Sequence, residues 1–186
     1  MKKVNLIILA LSLLILFLSC AKDGYEFNSQ NHFAYTQEEK ENEQLIIQNY
    51  LKKNNLEMWV TDSGLHYLVE IEGNGLRPDC TDRVFAHYEV FNLTTDTIAR
   101  KVDASTSLLG EPFSMLSTTE GLKEAFLRIR QGAVFRVIVP SYLGYGKADI
   151  IGQFPPQSIL DYKFKINKVI NDTIPQQKKL KICFQH

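Results

Sequence analysis

The stretch that most limits what this chain can become runs from Gly132 to Val169, GAVFRVIVPSYLGYGKADIIGQFPPQSILDYKFKINKV. It reads as a strand, a long loop bearing glycines and aromatics, a Pro-Pro step and a second strand. In the second strand Leu160, Tyr162, Phe164 and Ile166 alternate with Asp161, Lys163, Lys165 and Asn167. A period of two with one oily side belongs to a half-buried strand. That phase turns Tyr162 toward the core, an aromatic with a hydroxyl on the inner side of a sheet, where rings from other segments can meet it.

The preceding segments supply the partners. Leu65 to Ile71 puts Leu65, Tyr67, Val69 and Ile71 on one face, and Val84 to Phe91 puts Val84, Ala86, Tyr88 and Val90 on one face. Leu56 to Val60 reads as a short strand, with turns at Asp62-Ser63-Gly64, Gly73-Asn74-Gly75 and Pro78-Asp79. Asn92 to Arg100 is polar and Thr-rich, a loop or hairpin tip. Thr118-Thr119-Glu120 caps a short helix carrying Leu122, Ala125, Phe126 and Ile129 on one side, and Gly132 stands where a left-handed residue would end it. Val134 to Val139 is a strand closed by Pro140. Strands, one short helix and two more strands make an antiparallel α+β body.

Ahead of the body, Thr36 with Glu39 three residues on is a capping box. Ile46, Ile47, Tyr50 and Leu51 follow at helical spacing, with Lys52 and Lys53 where cations suit the dipole, so a helix is expected from about 37 to 53. Its narrow apolar stripe suits packing on the body; a dimerisation arm is the alternative. Residues 21–35 lack a period and suit a tether. Lys2-Lys3, the apolar run Val4–Leu18 and Ser19 before Cys20 make a secretory signal followed by a lipobox-like cysteine. Cys20 is therefore the expected lipid attachment site of an exported, membrane-anchored protein, facing the periplasm or the cell surface. An uncleaved anchor or an ordinary signal is the alternative.

With 21 basic and 21 acidic residues the chain has no electrostatic footprint for nucleic acid. His32, His66, His87 and His186 are scattered, so no metal site and no cofactor are expected. Cys80 and Cys183 would sit in a compartment that permits disulfides; a bridge between them and two isolated thiols both remain open.

Tyr88, Val102-Asp103-Ala104-Ser105, Pro112-Phe113, Gly121-Leu122, Tyr145-Gly146, Pro155-Pro156 and Tyr162, in this order and spacing, resemble the FKBP-type peptidyl-prolyl cis-trans isomerases over roughly Gly64 to Val169. With the lipidated start and the leading helix, the chain resembles the isomerase lipoproteins of gliding and related bacteria. The resemblance implies an FKBP-like antiparallel curved sheet wrapped around a short helix, with an extra N-terminal helix. The division it implies is a signal peptide over 1–19, a tether over 20–35, the helix over 36–55, the isomerase-like domain over 56–170 and a tail over 171–186.

The resemblance further implies a pocket with Tyr88, Phe113 and Tyr162 as aromatic walls and Leu122 at the floor. Asp103 would be a rim carboxylate bonded to a pocket tyrosine, Tyr145 would donate to a substrate carbonyl, and Phe154 would lie in the flap. The Thr119 backbone N–H would face the carbonyl after the proline ring. Tyr88, Asp103 and Tyr145 would be the catalytic group; Phe113, Thr119, Leu122, Phe154 and Tyr162 would bind substrate. The partners would be proline-containing or unfolded exported polypeptides. Leu122 replaces the family's frequent Trp, and Thr118-Thr119 replaces an apolar pair. These departures keep a second reading alive, a non-catalytic chaperone or protein-binding module on the same fold. The anchor has its own test: labelled palmitate should enter the full chain and should vanish on Cys20→Ala.

Overall fold

The computed structural model describes residues 33–150 and 152–172. The expected signal peptide, Cys20, most of the expected tether and the tail beyond Asp172 lie outside the described residues. Helix α1 spans Gln37–Lys53. Its capping box is complete: the Glu39 N–H donates to Thr36 Oγ1 at 3.1 Å and the Thr36 N–H to Glu39 Oε2 at 2.8 Å. The strands are β1 (Trp59–Val60), β2 (His66–Ile71), β3 (Arg83–Asn92), β4 (Thr97–Val102), β5 (Glu111–Ser114), β6 (Val134–Val139) and β7 (Leu160–Ile170). Helix α2 spans Glu120–Phe126, and a 3₁₀ turn spans Ser141–Leu143.

All pairings are antiparallel, in the order β1-β2-β6-β7-β3-β4, with β5 also on β3. One edge of β3 is shared: Arg83–Ala86 pairs with β5, and Tyr88–Asn92 pairs with β4. The chain leaves the sheet between these pairings as the 103–110 loop. It returns at Gly110, whose φ of +84° and lack of a side chain let it pass β3; a Cβ there would lie 2.0 Å from the Ala86 carbonyl oxygen. The polar Asn92–Arg100 stretch is thus a turn over 93–96 followed by β4, rather than loop throughout.

The inner sheet face carries Val84, Ala86, Tyr88 and Val90 of β3 and Leu160, Tyr162, Phe164 and Ile166 of β7, all buried. Leu122, Ala125 and Phe126 of α2 pack against them, and Ile129 follows in the next turn. Helix α2 stops at Phe126 with Leu127 still in the right-handed helical region. Gly132 has φ +92° but lies beyond that stop, so it launches β6 instead of capping the helix. The antiparallel α+β class read from the alternation is the observed one.

Helix α1 packs on the outer face. Ile47 meets Ile138 and Ile159, with Tyr50, Leu51 and Met58 alongside. Ile46, assigned to the buried stripe by spacing, is exposed; Glu43 takes that side of the helix, one turn before Ile47. Tyr35 also touches the body, its hydroxyl 2.6 Å from Ser141 Oγ, so the expected tether ends before residue 35. His66 is buried on the same face, its Nε2 2.8 Å from Gln44 Oε1. Cys80 is disulfide-bonded, so it is not an isolated thiol.

Burial under α1 also changes the reading of β7. Asp161, on the polar side of the alternation, is 2% exposed. Arg136 Nε donates to its Oδ1 at 2.8 Å, and the Tyr50 hydroxyl donates to its Oδ2 at 2.8 Å. A buried pair broken on one side leaves an uncompensated charge, which destabilises more than the intact pair stabilises. Asp161→Ala should therefore lower unfolding free energy by about 3 kcal/mol. The double replacement Asp161→Leu with Arg136→Met should recover most of that loss, both read from urea unfolding midpoints.

Candidate functional site

Register brings the aromatic residues together. Across β3 and β7, Tyr88 opposes Phe164 and Val90 opposes Tyr162, and across β3 and β5, Val84 opposes Phe113. Side chains in register share a face, so rings from segments far apart in the chain meet on the inner side. The Tyr88 ring lies 5.4 Å from Phe113 at 70°, 6.2 Å from Tyr162 and 5.7 Å from Phe164. Tyr162 stacks on Phe164 at 5.2 Å, and Leu122 belongs to the same cluster from below. Tyr145, half-buried on the loop after β6, stacks on Phe154 at 5.0 Å, and its hydroxyl interacts with that of Tyr162.

Depth separates these residues into two groups. Tyr88 (8% exposed), Leu122 (2%), Phe154 (4%) and Tyr162 (3%) are core residues that back the cleft. The open surface is a cleft of about 220 Å³ lined by Pro112, Phe113, Ser117, Thr118, Thr119 and Tyr145. On the other side of Tyr145 lies a second, mostly apolar cleft of about 500 Å³, reaching Tyr142, Ala148 and Ile150. Ser117, Thr118, Thr119 and Tyr145 line both. Thr119 is the N-cap of α2, and among the described residues no hydrogen bond occupies its backbone N–H.

The expectation for Asp103 is corrected. Its carboxylate folds back on its own loop, accepting the Ser105 N–H at 2.9 Å and lying 3.8 Å from Lys101 Nζ. The Tyr88 hydroxyl donates instead to Glu111 Oε2 at 2.7 Å, and Arg100 Nη2 pairs with Glu111 Oε1. Sequence reasoning passed over both. The signal was available: Glu111 stands two before Phe113 and Arg100 two before Val102, so period two puts them on the inner face. Their partners in register are Ala86 and Val90, which flank Tyr88 on that face.

Burial sets the ionisation of the tyrosines. Desolvation pushes Tyr88, Tyr145 and Tyr162 up, so all three hydroxyls keep their protons as donors. Partial burial pushes the Glu111 carboxyl up as well, but the Tyr88 hydroxyl and the Arg100 guanidinium together outweigh it and hold it below the usual range. Among the described residues no group of three or more His, Cys, Asp or Glu side chains could hold a metal ion. The site is one of rings, hydroxyls and a free amide, suited to binding an uncharged amide in a poorly hydrated place.

A profile described as FKBP-type peptidyl-prolyl cis-trans isomerase matches residues 75–167. An FKBP-type peptidyl-prolyl cis-trans isomerase FkpA of Aeromonas hydrophila is 33% identical over 108 residues, covering 57% of this chain and 38% of that protein. An outer membrane protein MIP of Legionella longbeachae is 30% identical over 112 residues, 59% of this chain and 46% of that one. The crystal structure of FkpA from Escherichia coli superposes with a TM-score of 0.58 at 23% identity, over 71% of this chain and 61% of that one. The chain spans about half the length of the curated relatives it matches.

The lowered Glu111 carboxyl makes the fold's stability depend on pH. A carboxyl held below its unfolded value contributes stability above the ordinary glutamate range and loses it as pH falls through the folded value. The difference in thermal midpoint between the wild type and Glu111→Gln should stay constant from pH 7 to about 5, and should shrink at lower pH.

Proposed function

Because this chain belongs to the FKBP-type peptidyl-prolyl cis-trans isomerase family, we propose that it accelerates rotation about X-Pro bonds in exported polypeptides while tethered to a membrane through Cys20. The observation that carries the reading is the convergence of Phe113, Thr119 and Tyr145 on one cleft, backed by Tyr88, Leu122, Phe154 and Tyr162. The tether rests on the signal-like start, the cysteine after Ser19 and a relative named as an outer membrane protein.

The chemistry needs no nucleophile. The prolyl amide resists rotation by about 18–20 kcal/mol because C–N resonance must be broken. The planar amide is the more charge-separated state, so water favours it. A cleft of rings and threonine methyls withholds that solvation and prefers the twisted amide, which is binding of the transition state over the ground state. In this mechanism the proline ring lies against Phe113 and the Tyr145 edge. The Tyr145 hydroxyl, beside that of Tyr162, donates to the substrate carbonyl, and the Thr119 N–H meets the next carbonyl along. The 500 Å³ cleft across Tyr145 takes flanking residues of an extended chain. Each tenfold gain needs only about 1.4 kcal/mol of differential binding.

A second reading draws on a separate observation. Of the three rings that the resemblance places in the walls, Tyr88 and Tyr162 are almost wholly buried, and Leu122, Thr118 and Thr119 make a wider floor and a less apolar wall than Trp and an apolar pair would. A module that holds unfolded or Pro-containing segments without turning them over would use the same surface. The rate decides. The full chain at micromolar concentration should speed cis-to-trans conversion of an X-Pro peptide above buffer, and Tyr145→Phe should lower kcat/KM about tenfold with its thermal midpoint unchanged. A wild-type rate equal to buffer supports the binding module.

A further inference from the structure

Helix α1 lies outside the stretch that matches the family profile, yet its side chains close on one segment of the domain. Glu43, 7% exposed, accepts the Ser141 backbone N–H at 2.7 Å and the Ser141 hydroxyl. Gln44 Nε2 donates to the Tyr142 hydroxyl at 2.9 Å, and Lys147 Nζ donates to Glu39 Oε1 at 2.6 Å. Tyr35, just ahead of the helix, sits edge-on to Tyr142 and beneath the Lys147 ammonium. Ser141 in turn organises the chain just beyond it: its carbonyl accepts the N–H of Gly144 at 2.9 Å and of Gly146 at 2.8 Å. Those glycines flank Tyr145.

A carboxylate is a costly group to bury and is kept only where hydrogen bonds satisfy it. Covering the outer sheet face needs nothing polar, as Ile47 one turn on shows. Glu43 instead directs both oxygens at one residue, itself fully buried, whose carbonyl brackets the cleft tyrosine. Burial pushes the Glu43 carboxyl up, with Glu39 adding to the rise while the Ser141 bonds and Lys147 pull it down.

We propose that α1 is a positioning element for Tyr145: Glu43 fixes Ser141, Ser141 fixes the glycines on either side of the ring, and the ring is thereby held between the two clefts. The proposal rests on the reading of Tyr145 as a cleft residue. Glu43 acts through Ser141 and touches no substrate.

Amide hydrogen exchange and kinetics on the full chain test it together. Glu43→Ala should raise exchange at Gly144 and Gly146 about tenfold and lower kcat/KM by a similar factor through kcat, with β3 amides as protected as in the wild type. Glu43→Gln keeps an acceptor for the Ser141 N–H and a donor for its hydroxyl, and should restore most of both readouts. Tyr50→Phe weakens the attachment of α1 at Asp161, away from the loop, and should lower the thermal midpoint while leaving kcat/KM near wild type. Exposed Gln48→Ala should change nothing. The proposal is overturned if Glu43→Ala leaves Gly144 and Gly146 protected, or if Tyr50→Phe costs as much kcat/KM as Glu43→Ala. A wild type without a rate defeats the isomerase reading, and the exchange arm still decides whether α1 holds the loop.

Discussion

The antiparallel pairing of β3 with β7, ten residues in register with one bulge after Phe85, is the constraint on which the rest of the structure depends. Its two strands are separated by most of the domain sequence, so loop-closure entropy must be offset by contacts formed only when they meet. Those contacts lie on the inner face, where Tyr88 and Phe164 oppose each other, as do Val90 and Tyr162. A sheet with one oily face has to cover it. Helix α2 covers it with Leu122, Ala125 and Phe126. Stability and site therefore depend on the same rings.

That sharing explains how deep the site lies. Tyr88 and Tyr162 are held by core packing on several sides, so neither moves freely to meet a ligand. What stays accessible is the rim, built from β5, the approach to α2 and the loop after β6. The rim's electrostatics come from the sheet edge, where Glu111 orients Tyr88 and Arg100 neutralises Glu111. The hydroxyls stay protonated because burial disfavours their anions. A poorly hydrated surface with fixed donors is the environment in which a twisted amide is favoured over a planar one.

The outer face follows different rules. Helix α1 covers it with an apolar contact patch around Ile47 and with polar anchors, among them Tyr50 on Asp161, Glu43 on Ser141 and Gln44 on Tyr142 and His66. Buried polar anchors add little net stability compared with apolar packing, but they tolerate only one arrangement of their partners. The anchors thus set where α1 sits, and its N-terminal half lands on the loop that carries Tyr145.

Local order was legible in the residues themselves. The Thr36–Glu39 capping box, the alternation of β3 and β7, the Leu122–Phe126 stripe and the inward phase of Tyr88 and Tyr162 were all readable, because each is set by neighbours within one or two turns or pleats. The resemblance added the order in which the rings would gather. Three features were decided only in the fold. Glu111 and not Asp103 accepts the Tyr88 hydroxyl's hydrogen bond, because the split pairing of β3 brings Glu111 across the inner face while Asp103 closes its own turn. Asp161 is buried though it lies on the polar side of its strand, because α1 roofs that end of the sheet. Tyr88 and Tyr162 became backing rather than surface while Phe113 stayed at the opening, because depth depends on what packs behind and above a side chain. Periodicity tells which way a residue points; what it meets there is a property of segments that are distant in the chain and adjacent in space.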